Sequence, residues 1–384
     1  MVTATQTAHK KERGPHLGKA ADHGLSPFLD AERRSNTACQ FEHALREKIV
    51  GQEEAVQALV DLYQVFCAGL HSPGRPVGNL LFLGPTGSGK TRTVEAAAEI
   101  LFGDSRAVVK VDCAEFQHSH QIAKLIGSPP GYLGHRETHP LITQEALVGR
   151  HREGLKLSFL LFDEIEKAND ALWQLLLGMH DKATLTLRDN RKVDLSQTVI
   201  FLTSDLGGTQ IAELMYGVMG FIQPKDKATT GLHEKVQRTA VEAARRKFAP
   251  EFMNRLDKVV VFHPLKREEL DEVLEIELKQ VRKRVLDSTR PFLFRITNEG
   301  REFLLDEGTD QRYGARHLKR AIERYLLYPI ARLLATAQVH QGDAVVVDHH
   351  FGEEGLVFLR DKENRSSDLP LPNSGQLMTA AARA

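Results

Sequence analysis

The sequence predicts an α/β protein built on a parallel sheet, followed by a smaller, mainly helical domain that carries a β-hairpin. Three observations support this. Short, mostly apolar runs ("NLLFLG", "AVVKV", "LSFLLFDE", "TVIFLTS") recur between stretches of helical periodicity. Runs without polar alternation suit strands covered on both faces, as parallel sheets are. A glycine-rich turn separates the first run from a helix, and after "HPL" (263–265) the strand pattern gives way to helices.

In chain order, residues 1–38 are polar and rich in Ala, Thr, His and Lys, with no apolar period, and read as a disordered leader. Helical periodicity covers 41–48 and 53 to about 70. The four strands then alternate with a helix from Lys90 and another through "LWQLLLGMH". The α/β domain is expected over 39–262 and the smaller domain over 263–361. In the latter, helices are expected over 267–288 and 297–306 and from Ala315, and "DAVVVD" with "GLVFLR" reads as a hairpin. Residues 362–384 read as a disordered tail.

Composition argues against several functions. Lys+Arg and Asp+Glu both number 51, so no net charge draws the chain to nucleic acid or to an anionic membrane. No apolar run reaches the about 18 residues of a membrane span, and the N-terminus has no apolar signal core. Cys39, Cys67 and Cys113 are odd in number and far apart, as expected of reduced thiols in a cytoplasmic protein. "HSH" (118–120) and "HH" (349–350) lack further ligands nearby and read as surface residues.

The chemistry begins at "FLGPTGSGKT". It fits G-x-x-x-x-G-K-[ST] with Gly84, Pro85, Thr86, Gly87, Ser88, Gly89, Lys90 and Thr91. Glycines let successive N–H groups face one concavity and cradle phosphate oxygens, and the helix that opens there presents its positive end. Lys90 is expected to reach the β- and γ-phosphates of ATP, and Thr91 to hold Mg²⁺. The strand "LSFLLFDE" ends in Asp163 and Glu164. Asp163 completes the Mg²⁺ shell in this reading, and Glu164 takes a proton from the attacking water.

A second stretch, "IGSPPGYLGH" (126–135), is a proline- and glycine-rich loop with Tyr132 and Leu133 between Gly131 and Gly134. An aromatic at a loop tip can grip a partner without reading its sequence, or pack on its own domain. It could also stack on bases, but Lys124 and Arg136 are a thin basic supply for phosphates.

From about residue 41 to 360 the sequence resembles the AAA+ ATPases, and among them the second ATPase module of the Clp unfoldases and chaperones. "IVGQEEAV" is similar to the opening box, whose Ile49 and Val50 the resemblance sets near adenine. "FAPEFMNRLD" resembles the arginine-finger segment, with Arg255 as the finger. "YGARHLKRAIER" resembles the second sensor, with Arg316 as its arginine. Cations around a departing γ-phosphate lower the barrier. A finger acting in trans requires a closed ring, and the family implies a homohexamer. The resemblance assigns Gly131, Tyr132, Leu133 and Gly134 to a pore loop that drags unfolded or tagged polypeptide through the ring. It makes Met219-Gly220-Phe221, within "YGVMGFIQPKD" (216–226), a peptidase-docking tripeptide for a ClpP-type ring; an ordinary turn is the plainer reading.

The sequence also departs from the family pattern. Asp205 stands in "VIFLTSDLGG" where the first sensor is usually Asn, and its charge is expected to oppose the γ-phosphate unless it is protonated or turned away, so that either hydrolysis is slow or Asp205 uses Thr203 and Ser204 differently. "HRETHP" replaces the acidic-glycine flank of the tyrosine loop, and "KATLTLRDNRK" replaces a glycine-rich loop. No first ATPase module, middle coiled coil, substrate domain or peptidase triad is recognisable. The leading expectation is a Mg-ATP-hydrolysing unfoldase ring that threads polypeptide. The alternatives are an ATP-binding assembly protein with weak hydrolysis and a nucleic-acid motor.

Overall fold

The computed structural model describes residues 33–128, 139–152, 154–219, 227–309, 314–350 and 352–361. Its strands are β1 (Gly78–Leu83), β2 (Val109–Asp112), β3 (Ser158–Asp163), β4 (Thr184–Thr186), β5 (Lys192–Asp194), β6 (Thr198–Ser204), β7 (Lys258–Val261), β8 (Leu293–Ile296), β9 (Ala344–Asp348) and β10 (Val357–Arg360). Five of them form a sheet in the order β2-β3-β6-β1-β7. Every pairing in it is parallel.

The expected parallel α/β sheet is present. β1 and β6 are buried along their whole length, which explains their unbroken apolar spelling. One face packs Leu83, Phe162 and Leu202 beneath the helices Asp170–Lys182 and Lys227–Lys247. The other packs Phe82, Phe159 and Phe201 beneath the helices Glu53–Cys67 and Lys90–Phe102. The rings interlock there, with centroids 5.0 Å apart for Phe82–Phe262 and for Phe159–Phe201. Truncating one such buried ring to Ala costs about 3–5 kcal/mol.

Register decides where the chemistry lies. Leu83 pairs with Ser204 and Asp112 with Asp163, so β1, β3 and β6 end together. The phosphate loop, the Asp163–Glu164 pair and Asp205 therefore leave the sheet along one edge, where ligands of open α/β sheets bind.

Beyond Leu265 a separate core forms. The helix Arg267–Leu286 buries Leu270, Leu274, Leu278, Val281 and Val285, a single stripe at helical spacing. The expected hairpin is present as antiparallel β9 and β10, with Val347 opposite Phe358. β8 joins β9 in parallel and makes a third strand that the sequence reading lacked.

Other expectations differ from the structure. The sequence predicts a disordered leader over 1–38, but a helix runs over Asn36–Arg46; the Ser35 hydroxyl caps it by accepting from Ala38 N, and Ala38 is fully buried. The segment "KATLTLRDNRK", for which the sequence predicts no element, supplies β4 and most of a β4–β5 hairpin, because Leu185 and Val193 reach the core. Within 216–226, where the sequence suggests a docking tripeptide or an ordinary turn, the helix Gly208–Met219 continues through the first four residues. Gly220 and Phe221 lie outside the described residues, as do Gly131, Tyr132, Leu133 and Gly134. His349 is half-buried rather than on the surface, stacked on Phe303 with centroids 4.3 Å apart.

Among the described residues no helix is long and apolar enough to cross a membrane. Cys39 and Cys67 are exposed and free. Cys113 is buried, and burial pushes its thiol pKa up.

Candidate nucleotide site

The phosphate loop follows directly from β1. Gly84 has φ +149°, and a Cβ there would lie 2.5 Å from the carbonyl oxygen of Phe262, so only glycine fits. Gly89 has φ +99° and starts the helix Lys90–Phe102, which ends at Gly103, also left-handed. The turn thus delivers a helix N-terminus and Lys90 to one point. Lys90 is 7% exposed. Its ammonium donates to Gly84 O at 2.8 Å, Pro85 O at 2.9 Å and Asp205 Oδ1 at 2.7 Å.

Asp163 sits at the end of β3 among three donors. Thr91 Oγ1 donates to its Oδ1 at 3.0 Å, Thr203 Oγ1 donates to the same oxygen, and Lys110 Nζ lies 2.9 Å from Oδ2. Burial raises its pKa, but the Thr203, Lys110 and Thr91 contacts outweigh burial and hold it below the ordinary carboxylate value. Adjacent Thr91 and Asp163 oxygens are hard donors, as a small divalent cation requires. These residues fit Mg²⁺.

Glu164 is held in the left-handed region with φ 58°. For a non-glycine residue that is a strained conformation, of a kind concentrated at functional sites. Its N–H donates to Thr203 Oγ1 at 3.0 Å, and its carboxylate pairs with Lys167, whose pKa the contact raises. Thr203 therefore ties both carboxylate positions to β6.

Lys90, Thr91, Asp163, Glu164, Thr203 and Asp205 line a cavity of about 460 Å³ together with Ile49, Val50 and, from the C-terminal region, Arg316 and Lys319. Thr86, Gly87, Ser88 and Gly89 form its phosphate-loop wall. The C-terminal region closes against that wall by backbone contact, since Ala315 N donates to Gly87 O at 3.3 Å. Gln52 acts as a clamp on the other side. It is 4% exposed and donates to Ser88 O at 3.1 Å and His263 O at 2.9 Å, and its own carbonyl accepts from His263 N at 3.2 Å.

Arg255 lies away from this cavity. It pairs with Asp181 at 2.6 Å and Glu251 at 2.8 Å. The structure thus gathers Ile49, Val50, residues 86–91, Asp163, Glu164, Asp205 and Arg316 around one space and leaves Arg255 outside it.

Sequence reasoning missed Gln52, Lys110, Lys319 and Glu166, whose Oε1 accepts from Asp205 N at 3.2 Å. Gln52 and Lys319 stood inside motifs already singled out. Lys110 could have been found only through the β2–β3 register.

A phosphate loop, a strand-end pair of carboxylates and an arginine returned by a following helical unit define a P-loop ATPase domain of the AAA class. Residues 75–259 match the family described as AAA domain (Cdc48 subfamily), and residues 265–347 match the C-terminal D2-small domain of ClpB protein. The chain belongs to the AAA+ ATPases of the Clp type. It is 33% identical to the ATP-dependent Clp protease ATP-binding subunit ClpC of Staphylococcus aureus (strain USA300) over 89% of its own length and 40% of that protein's. It is 38% identical to the chaperone protein ClpB of Meiothermus ruber, over 87% of the chain and 36% of the relative. The chain therefore spans about two fifths of the length of these curated relatives. A closed-state structure of Hsp104 with ATPγS and FITC casein superposes with TM-score 0.69 at 27% identity, over 84% of this chain and 52% of that one. The S. cerevisiae Hsp104–ADP complex superposes equally well at 28% identity, over 85% and 52%.

Proposed function

We propose that the protein is a ring-forming ATPase that binds Mg-ATP in this cavity, hydrolyses it, and uses the energy to thread or remodel polypeptide. The observation that carries the reading is the contact of Ala315 with Gly87 beside Arg316. It joins the C-terminal region to the phosphate loop, so nucleotide state and domain closure are one variable. In this reading the loop N–H groups and Lys90 bind the phosphates. Thr91 and Asp163 hold the cation, which neutralises phosphate charge when bound. Glu164 accepts a proton from the attacking water, and Arg316 and the Arg255 of a neighbouring subunit counter charge on the leaving phosphate. Tyr132 grips the polypeptide. A ClpP-type peptidase at Met219-Gly220-Phe221 is a further partner of the same reading. The domain limits 39–262 and 263–361 belong to it too.

The Asp205–Lys90 ion pair favours one other reading, an ATP-binding assembly protein that turns over slowly. Steady-state hydrolysis against a Lys90→Ala control separates the two. The motor reading expects Mg-ATP turnover well above the control, and Glu164→Gln protein that retains ATP and its polypeptide client. Turnover equal to the control would sink the motor.

A further inference from the structure

Lys90 is already fully engaged. An ammonium has three donors, and all three have acceptors, with Gly84 O, Pro85 O and Asp205 Oδ1 between 2.7 and 2.9 Å away. The second oxygen of Asp205 accepts from Thr86 Oγ1 at 2.5 Å. One carboxylate at the end of β6 thus grips the crown of the phosphate loop and its lysine together. Asp205 is itself fixed, because its N–H donates to Glu166 Oε1. The Lys90 side chain is 8% exposed and that of Asp205 34%, so water screens the pair only in part.

We infer that Asp205 is an internal phosphate mimic: an ionic lock on the phosphate loop that an incoming nucleotide must open, and a residue that sets selectivity against the γ-phosphate. The inference rests on the nucleotide-binding reading above. Any phosphate that takes Lys90 leaves the Asp205 carboxylate without its cation and facing another anion. A triphosphate brings more negative charge than a diphosphate, so the penalty falls harder on ATP than on ADP. An asparagine in the same place has no charge to repel with, and its NH₂ donates to an anion. Asp205 thus lowers the preference for ATP that the rest of the site creates.

The test is a binding titration of the full chain with ADP and with slowly hydrolysed ATPγS, both with Mg²⁺, for wild type, Asp205→Asn and Asp205→Ala. Asp205→Asn is expected to tighten ATPγS about tenfold, equivalent to about 1.4 kcal/mol, and ADP by less, so that the affinity ratio moves toward ATPγS. Asp205→Ala, which removes the charge without supplying an amide, is expected to move the ratio the same way. An unchanged ratio in both variants, with wild type binding normally, overturns the lock and leaves the nucleotide site standing. Failure of wild type and variants alike to bind either nucleotide overturns both.

Discussion

The backbone N–H of Ala315 donates to the carbonyl of Gly87 at 3.3 Å, so the first turn of a C-terminal helix rests on the phosphate loop itself. The residue before it makes this contact possible. Gly314 has φ +51°, and a Cβ there would lie 2.9 Å from Gly87 O. A side chain at 314 is strained by its own backbone, at roughly 1–3 kcal/mol, and must also push the loop away. Gly314→Ala is therefore expected to weaken Mg-ATPγS binding at least severalfold and to lower thermal stability. Calorimetric titration checks the first and a melting curve the second.

Gln52 makes a related prediction from the opposite wall. Its side-chain amide serves Ser88 O and His263 O, and its carbonyl serves His263 N. Gln52→Leu fills similar volume and leaves these backbone groups without that partner. Each unsatisfied buried group costs about 1–3 kcal/mol, so the variant is expected to lose at least about 2 kcal/mol in urea unfolding. Glu is expected to restore only part, since it can accept from His263 N but cannot donate to the carbonyls.

His180 gives a pH dependence with a defined sign. It is fully buried in the helix Asp170–Lys182, neither ring nitrogen has a hydrogen-bond partner among the described residues, and its ring lies 5.7 Å from that of Phe252. Burial lowers its pKa from 6.5 to about 4; Asp181 opposes the shift, while Arg255 and Arg75 assist it. The unfolded chain thus binds the proton more readily than the folded one between these values. Stability from this residue is complete above pH 6.5 and falls as pH drops toward 4. At pH 5 the loss is about 2 kcal/mol relative to neutral pH. His180→Leu is expected to flatten the pH 5-to-7 difference in unfolding free energy by that amount. An unaltered slope would show that the ring does not titrate as its burial demands.

The parallel sheet and the phosphate loop were legible in the sequence because each rests on local chemistry. Unbroken apolar spelling marks β1 and β6, and the glycines at 84 and 89 mark backbone that only glycine adopts there. What stayed hidden depends on partners distant in sequence. Lys110 reaches Asp163 through strand register, and Gln52 reaches His263 across the start of the C-terminal region. The helix Asn36–Arg46 begins five residues before the position its periodicity predicts: Phe41 and Leu45 carry the apolar signal, while the first turn is polar apart from Ala38 and is fixed by the Ser35 cap. Asp205 lay between these cases. Its charge was readable, but its grip on Lys90 and Thr86 required the fold.

Arg255 supplies the sharpest test of assembly. Its guanidinium is held by Asp181 and Glu251, about one fifth exposed and outside the cavity of its own chain. If it serves a neighbour's nucleotide, Arg255→Ala should leave the ATPγS affinity of an isolated subunit nearly unchanged while cutting ring turnover by about 10³-fold or more. Glu164→Gln should be equally inactive, for a reason located in the cavity. Subunits of the two variants mixed in one ring create some interfaces with an intact Glu164 facing an intact Arg255. Partial recovery of hydrolysis in the mixture is therefore expected, rising and falling with the mixing ratio and peaking near equal amounts. A mixture as inactive as either parent would mean that Arg255 only ties its helix to Asp181, and the ring would then need another source of the missing cation.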